Sequence, residues 1–246
     1  MSGEHWAGGR RNDDHWAEAA DPHCLRSGEA AGLLRGHPWR RFAVLGDSVA
    51  AGVTEPQAGY HPLPWCDRVY AELVATAPEV AYLNLGRRDL RAADVRRDQL
   101  APVLAFRPDL AMVLCGPNDA MQPGYERRAD AVDADIAAIV TALRSAGADV
   151  VTVSLFVMRA YPGLPSWLGP AFARRMRELG RRTSRLAAAS GALHVDLADH
   201  PALEDGPLTA SDGLHGDGRS QALAAAETVR RLGAHLGSPY PMTGRF

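Results

Sequence analysis

The sequence predicts one α/β domain: a three-layer α/β/α sandwich around a central five-stranded parallel sheet, flavodoxin-like in plan. Three observations carry this. Short apolar runs alternate five times with longer stretches whose apolar residues recur at helical spacing. The runs are near-continuously apolar, as strands covered on both faces require. The chain has 246 residues, enough for one such domain to bury roughly three quarters of its unfolded surface.

The elements follow in order. Residues 1–38 are rich in Gly, His, Arg and Asp and are expected to form a flexible leader, with one short helix at Glu29–Arg35. Pro38 closes that segment, because proline disfavours helix in the residue before it. Phe42–Leu45, ended by Gly46, reads as the first buried strand. Apolar residues at 65, 69, 70, 73 and 74 predict a helix over 65–77. Strands are expected at Val80–Leu85, Leu110–Leu114, Val150–Leu155 and Leu193–Leu197. Helices are expected at Asp94–Phe106, Ala129–Ala146, Phe172–Ser190 and Ser220–Leu236. The domain is placed at 39–237 and a tail at 238–246.

Composition excludes several classes. Lys+Arg number 27 and Asp+Glu 29, a formal charge of −2, which leaves no electrostatic footprint for nucleic acid or an anionic membrane. Every basic residue is Arg, so no Lys-based Schiff base, Walker lysine or Ser-Lys dyad is possible. The three cysteines, Cys24, Cys66 and Cys115, form no CxxC pattern and predict no disulfide framework. No signal-peptide pattern and no membrane-length apolar run is read, so a cytoplasmic location is expected. No Walker pattern or G-x-G-x-x-G follows the first strand, which argues against a nucleotide-binding flavodoxin-like protein. The leader histidines His5, His15 and His23 lack metal-site spacing. His194, His200 and His235 read as structural or solvated.

Ligand sites in such sheets lie beyond the carboxyl ends of the strands. The first strand ends in Gly46-Asp47-Ser48, where a glycine lets the chain turn and the serine hydroxyl stands near helix N–H groups. Alone, the tripeptide also suits a helix N-cap. The third strand ends in Gly116-Pro117-Asn118-Asp119, good turn residues but also a place for an amide donor to an oxyanion. Asp212-Gly213-Leu214-His215 precedes the last helix, and an Asp three residues before a His can fix its tautomer. The three segments fall on one rim in the order Ser, Asp, His. Asp47 and Asp119 read as anchors for their turns. The apolar, Pro/Gly-rich stretch 156–170 also follows a strand on that rim, and Tyr161 and Trp167 are expected to wall a substrate pocket.

These blocks resemble those of the SGNH (GDSL-like) hydrolases, in the bacterial esterase branch. GDS at 46–48, G-x-N-D at 116–119 and D-x-x-H at 212–215 match three of the family's blocks. Trp65–Val69, Tyr82–Leu85 and Arg107–Leu110 resemble its intervening segments, so the likeness runs from about residue 40 to 236. The resemblance implies a serine esterase with Ser48 as nucleophile, His215 as base and Asp212 as its orienter. The oxyanion would be held by the Ser48 N–H, the Asn118 amide and one further N–H. No metal or organic cofactor is implied, and the partner is a small-molecule ester. One block departs from the pattern: the family's N-x-x-x-x-G, counted from Asn84, puts Asp89 where glycine is usual, while Gly86 lies three residues early. Asp89 or Gly86 is the third donor. An acyltransferase of the same fold and a binding protein with attenuated activity are the alternatives.

Overall fold

The computed structural model describes residues 15–237. The tail expected at 238–246, the first 14 residues of the expected leader and His5 lie outside the described residues. Five parallel strands form one sheet: β1 (Arg41–Gly46), β2 (Ala81–Asn84), β3 (Leu110–Leu114), β4 (Asp149–Ser154) and β5 (Leu193–Asp196), ordered β2-β1-β3-β4-β5. Phe42 pairs with Leu110 and Val44 with Met112 across the centre. The central strand β3 is buried along its whole length, whereas the edge strand β5 is half covered. This difference explains why the central strands read as unbroken apolar runs.

The described residues include eight α-helices. In chain order they are α1 (Trp16–Ala20), α2 (Glu29–Leu33), α3 (Trp65–Thr76), α4 (Ala92–Phe106), α5 (Pro117–Met121), α6 (Tyr125–Ser145), α7 (Gly169–Ser190) and α8 (Gly218–His235). Helices α2, α3 and α8 pack together in one layer, and α4, α6 and α7 in the other. The predicted three-layer class and parallel five-stranded sheet are therefore the observed ones. Trp65 ties the first layer together: it is 2% exposed, and its indole N–H donates to Thr228 Oγ1 of α8 at 2.9 Å. Burial of a side chain this size is worth upwards of about 2 kcal/mol.

Two expectations need correction. Residues 15–38 are part of the packed body and not a loose leader. Cys24, Leu33 and Leu34 are buried, and three ion pairs fasten the segment: Glu18 to Arg68 (2.6 Å), Asp21 to Arg219 (2.7 Å) and Glu29 to Arg230 (2.7 Å). The partners lie far away in sequence, which is why a local reading missed them. Of the two readings of Gly116–Asp119, the simple turn gives way to a helix: Pro117 at the first helical position opens the short helix α5.

Candidate active site

The site is built at the carboxyl ends of β1 and β3. Gly46 has φ +151°, and a Cβ there would lie 2.0 Å from the Leu114 carbonyl oxygen, so only glycine lets the two strands end this close. The buried Gln99 side chain fixes Gly46 from α4, accepting from its N–H (2.7 Å) and donating to its carbonyl (2.9 Å). Gln99 was not singled out from the sequence. Its signal was a polar residue on the same helix face as Val95 and Val103.

Ser48 follows directly. Its Oγ lies 3.0 Å from His215 Nε2, and His215 Nδ1 lies 2.6 Å from Asp212 Oδ2. An ionised carboxylate only accepts, so Nδ1 carries the proton and donates it to Asp212. Nε2 is then free to accept from the Ser48 hydroxyl. Asp212 also accepts from the backbone N–H groups of Leu214 and His215 at 2.9 Å each. Partial burial pushes the Asp212 pKa up. The hydrogen bonds from His215 and these N–H groups outweigh it and hold the carboxyl below the usual carboxylate range.

Two loops brace the Asp212–His215 turn. Thr54 Oγ1 donates to the Gly216 carbonyl at 2.8 Å, and Glu55 accepts from the Ser211 N–H. On the other side the backbone of Gly163 donates to Gly213 at 3.1 Å. A Cβ on Gly163 would sit 2.1 Å from the Asp212 carbonyl oxygen, so this approach also needs glycine. The loop expected to wall a pocket thus also supports the histidine turn.

The expected oxyanion donors divide. Asp89 lines the same cavity as Ser48, Asn118 and His215. Its φ of +67° is the left-handed conformation glycine favours and Asp tolerates. Among the described residues, the N–H groups of Ser48 and Asp89 donate to no acceptor. Asn118 Nδ2 gives one hydrogen to the Leu90 carbonyl at 2.9 Å and keeps the other. Gly86 is not brought to the site. Its N–H donates to Asn84 Oδ1 at 2.8 Å, and its missing Cβ makes room for the Ala51 N–H, 2.2 Å from where a Cβ would stand.

Tyr161 lines the cavity, which measures about 140 Å³. Trp167 does not line it and is 76% exposed, because the turn from Pro165 into α7 carries it outward. Among the described residues no group of His, Cys, Asp or Glu is arranged to hold a metal ion, the three cysteines are unpaired, and no helix is long and apolar enough to cross a membrane.

A second imidazole also meets hydroxyls. His194 Nε2 lies 2.8 Å from Ser154 Oγ and its Nδ1 2.9 Å from Thr152 Oγ1. Both hydroxyls are buried, and burial pushes the His194 pKa down. No carboxylate hydrogen-bonds this ring among the described residues. With a hydroxyl on each nitrogen and no orienting acid, the cluster is a satisfied core network, as its strand position suggested.

Asp47 is wholly buried. One carboxylate oxygen accepts from the Val49 N–H at 3.0 Å, and the other has no hydrogen-bond partner among the described residues. Burial pushes its pKa up to about 7, with the Asp119 and Asp89 carboxylates adding to the effect. The folded protein therefore retains a proton that the unfolded chain releases near pH 4. Stability should fall as pH rises from about 4 to about 7, by at most ~1.4 kcal/mol per pH unit, and level off above. Chemical denaturation of wild type and Asp47→Asn checks this. The stability difference should move in favour of Asn between pH 5 and pH 8, and a constant difference would show that Asp47 holds no proton.

An open parallel sheet with a Ser-His-Asp hydrogen-bonded chain on its carboxyl rim defines an α/β hydrolase type of protein. The match to the GDSL-like lipase/acylhydrolase family model spans residues 44–238, and the chain belongs to that family, whose members are carboxylic ester hydrolases. No curated protein matches the chain by sequence. Among solved structures it resembles Axe2, an acetylxylan esterase from Geobacillus stearothermophilus, with TM-score 0.61 and 19% identity over 81% of this chain and 95% of that one. It also resembles LAE5, an alpha/beta hydrolase from the metagenome of Lake Arreo, Spain, with TM-score 0.58 and 17% identity over 81% and 96%. At these identities the likeness is one of fold.

Proposed function

We propose that this protein hydrolyses a small or medium carboxylic ester through an acyl-enzyme on Ser48. The observation that carries the reading is the continuous hydrogen-bonded chain Ser48–His215–Asp212 opening onto a cavity. A free serine hydroxyl is not ionised near neutral pH and needs a neighbouring base. His215 Nε2 takes the Ser48 proton as Oγ attacks the acyl carbon. Asp212 holds the ring tautomer and stabilises the imidazolium that forms. The N–H groups of Ser48 and Asp89 and the free hydrogen of Asn118 Nδ2 face the developing oxyanion. His215 then protonates the leaving alcohol, the C–O bond breaks, and water repeats the sequence to free the acid.

Asp89 supports this role through its main chain, because its backbone adopts the conformation that glycine would take. That reduces the weight of the attenuated binding protein as an alternative. A fluorophosphonate probe tests the reading. Intact mass should rise by one adduct on the wild-type protein, with no adduct on Ser48→Ala. A folded wild-type protein that stays unlabelled would favour the binding protein.

A further inference from the structure

On the reading of Ser48 as nucleophile, we propose that the acyl part of the ester is an unbranched apolar chain of about six carbons, with Met176 setting its length. Three of the chain's six methionines, Met121, Met158 and Met176, line the cavity that holds Ser48, together with Leu155, Tyr161 and Phe172. Tyr161 and Phe172 meet edge to face with ring centroids 4.9 Å apart, and the Tyr161 hydroxyl oxygen accepts from the Met158 N–H at 3.1 Å.

Most other polar groups on the wall are occupied too. Ser220 Oγ donates to the Asp217 carbonyl, the Trp65 indole is bound to Thr228, and Gln221 Oε1 accepts from the Trp65 N–H, which leaves the Gln221 Nε2 hydrogens without an acceptor among the described residues. Away from the reacting groups and the Gln221 amide the wall is therefore mostly apolar and offers few partners to a sugar or a charged acyl group. An acetyl group would leave most of this apolar wall unfilled. A dry apolar cavity of about 150 Å³ holds a ligand the size of benzene, so about six carbons suit one of 140 Å³. Methionine side chains are unbranched and adjust to a flexible chain.

A smaller cavity of about 20 Å³ adjoins the first. Val49, Pro117, Leu155 and Met176 line both, and the small one continues to Leu179 and Gly180 of α7. With three rotatable bonds Met176 is the most flexible of the four shared side chains, so it is the movable stop between them. Shortening it joins the two spaces.

Straight-chain p-nitrophenyl esters from acetate to dodecanoate, with wild type, Met176→Ala and Met176→Phe, test this. Wild type should prefer hexanoate to acetate by at least about tenfold in kcat/KM, since even one of the four added methylenes well seated in an apolar pocket is worth about that much. Met176→Ala should move the optimum to longer chains and Met176→Phe to shorter ones. Straight-chain methyl ketones binding to Ser48→Ala, followed by calorimetry, give a readout free of catalysis. Affinity should rise with length up to the same limit and rise further when Met176→Ala is added. Fluorophosphonate labelling at Ser48 combined with acetate as the best ester, or with a profile unmoved by Met176 variants, would overturn the chain site and leave the esterase reading intact. Should labelling fail, the ketones decide: length-dependent binding that follows Met176 supports the chain site, and flat binding overturns it.

Discussion

Ser48→Ala and His215→Ala should each lower kcat/KM on the best p-nitrophenyl ester by about 10⁴- to 10⁶-fold, and the double variant should be no slower than either. With Ser48 gone there is no oxygen to activate, and with His215 gone the oxygen keeps its proton. The two groups are a single device at 3.0 Å, so their losses do not add. Neither side chain contributes to the core, so the variants should melt close to wild type. Steady-state rates with a thermal melt on each variant check this. Additive losses, or a His215→Ala variant with substantial activity, would mean that the imidazole is not the base for Ser48.

Asn118→Ala should lower kcat by about 10²- to 10³-fold, about 3 kcal/mol of barrier, with KM little changed. On the proposed mechanism the bond to Leu90 holds the Asn118 amide in place and leaves its second hydrogen for the oxyanion. The effect belongs in kcat, because charge on the carbonyl oxygen develops only as the transition state forms. Asp89→Gly should behave differently. A backbone N–H can donate with either residue, the φ of +67° suits glycine at least as well, and a nearby negative charge is removed. Activity should hold or rise. A loss of more than tenfold in Asp89→Gly would assign the carboxylate itself a part in the reaction.

Much of the architecture was legible because its signals are local. An unbroken apolar run such as Leu110–Leu114 reads as a strand buried on both faces, and that is where β3 lies. Helix ends were less legible. The helix expected from Ala129 begins at Tyr125, and that expected from Phe172 begins at Gly169. First-turn residues add little to an apolar stripe, so periodicity starts late. Pro102 lies inside α4, where only the packed apolar face carries the helix past a residue that breaks it in isolation.

The choice between Asp89 and Gly86 was not legible. It depends on a backbone angle and on where the Gly86 N–H goes, and neither follows from the count of residues after Asn84. Trp167 and Tyr161 sit in one apolar loop and read alike. One lines the cavity while the other faces solvent, because the direction of a loop side chain is set by the turns around it.

The residues themselves determined the layer order and the segments of the candidate site, since apolar periodicity and chain order are written along the chain. Tertiary structure alone decided which groups touch. The 3.0 Å approach of residues 167 apart, the ion pairs that bind residues 15–38 to α3 and α8, and the methionine wall behind Ser48 all join distant segments. Such contacts depend on the packing of whole elements, which no local pattern specifies.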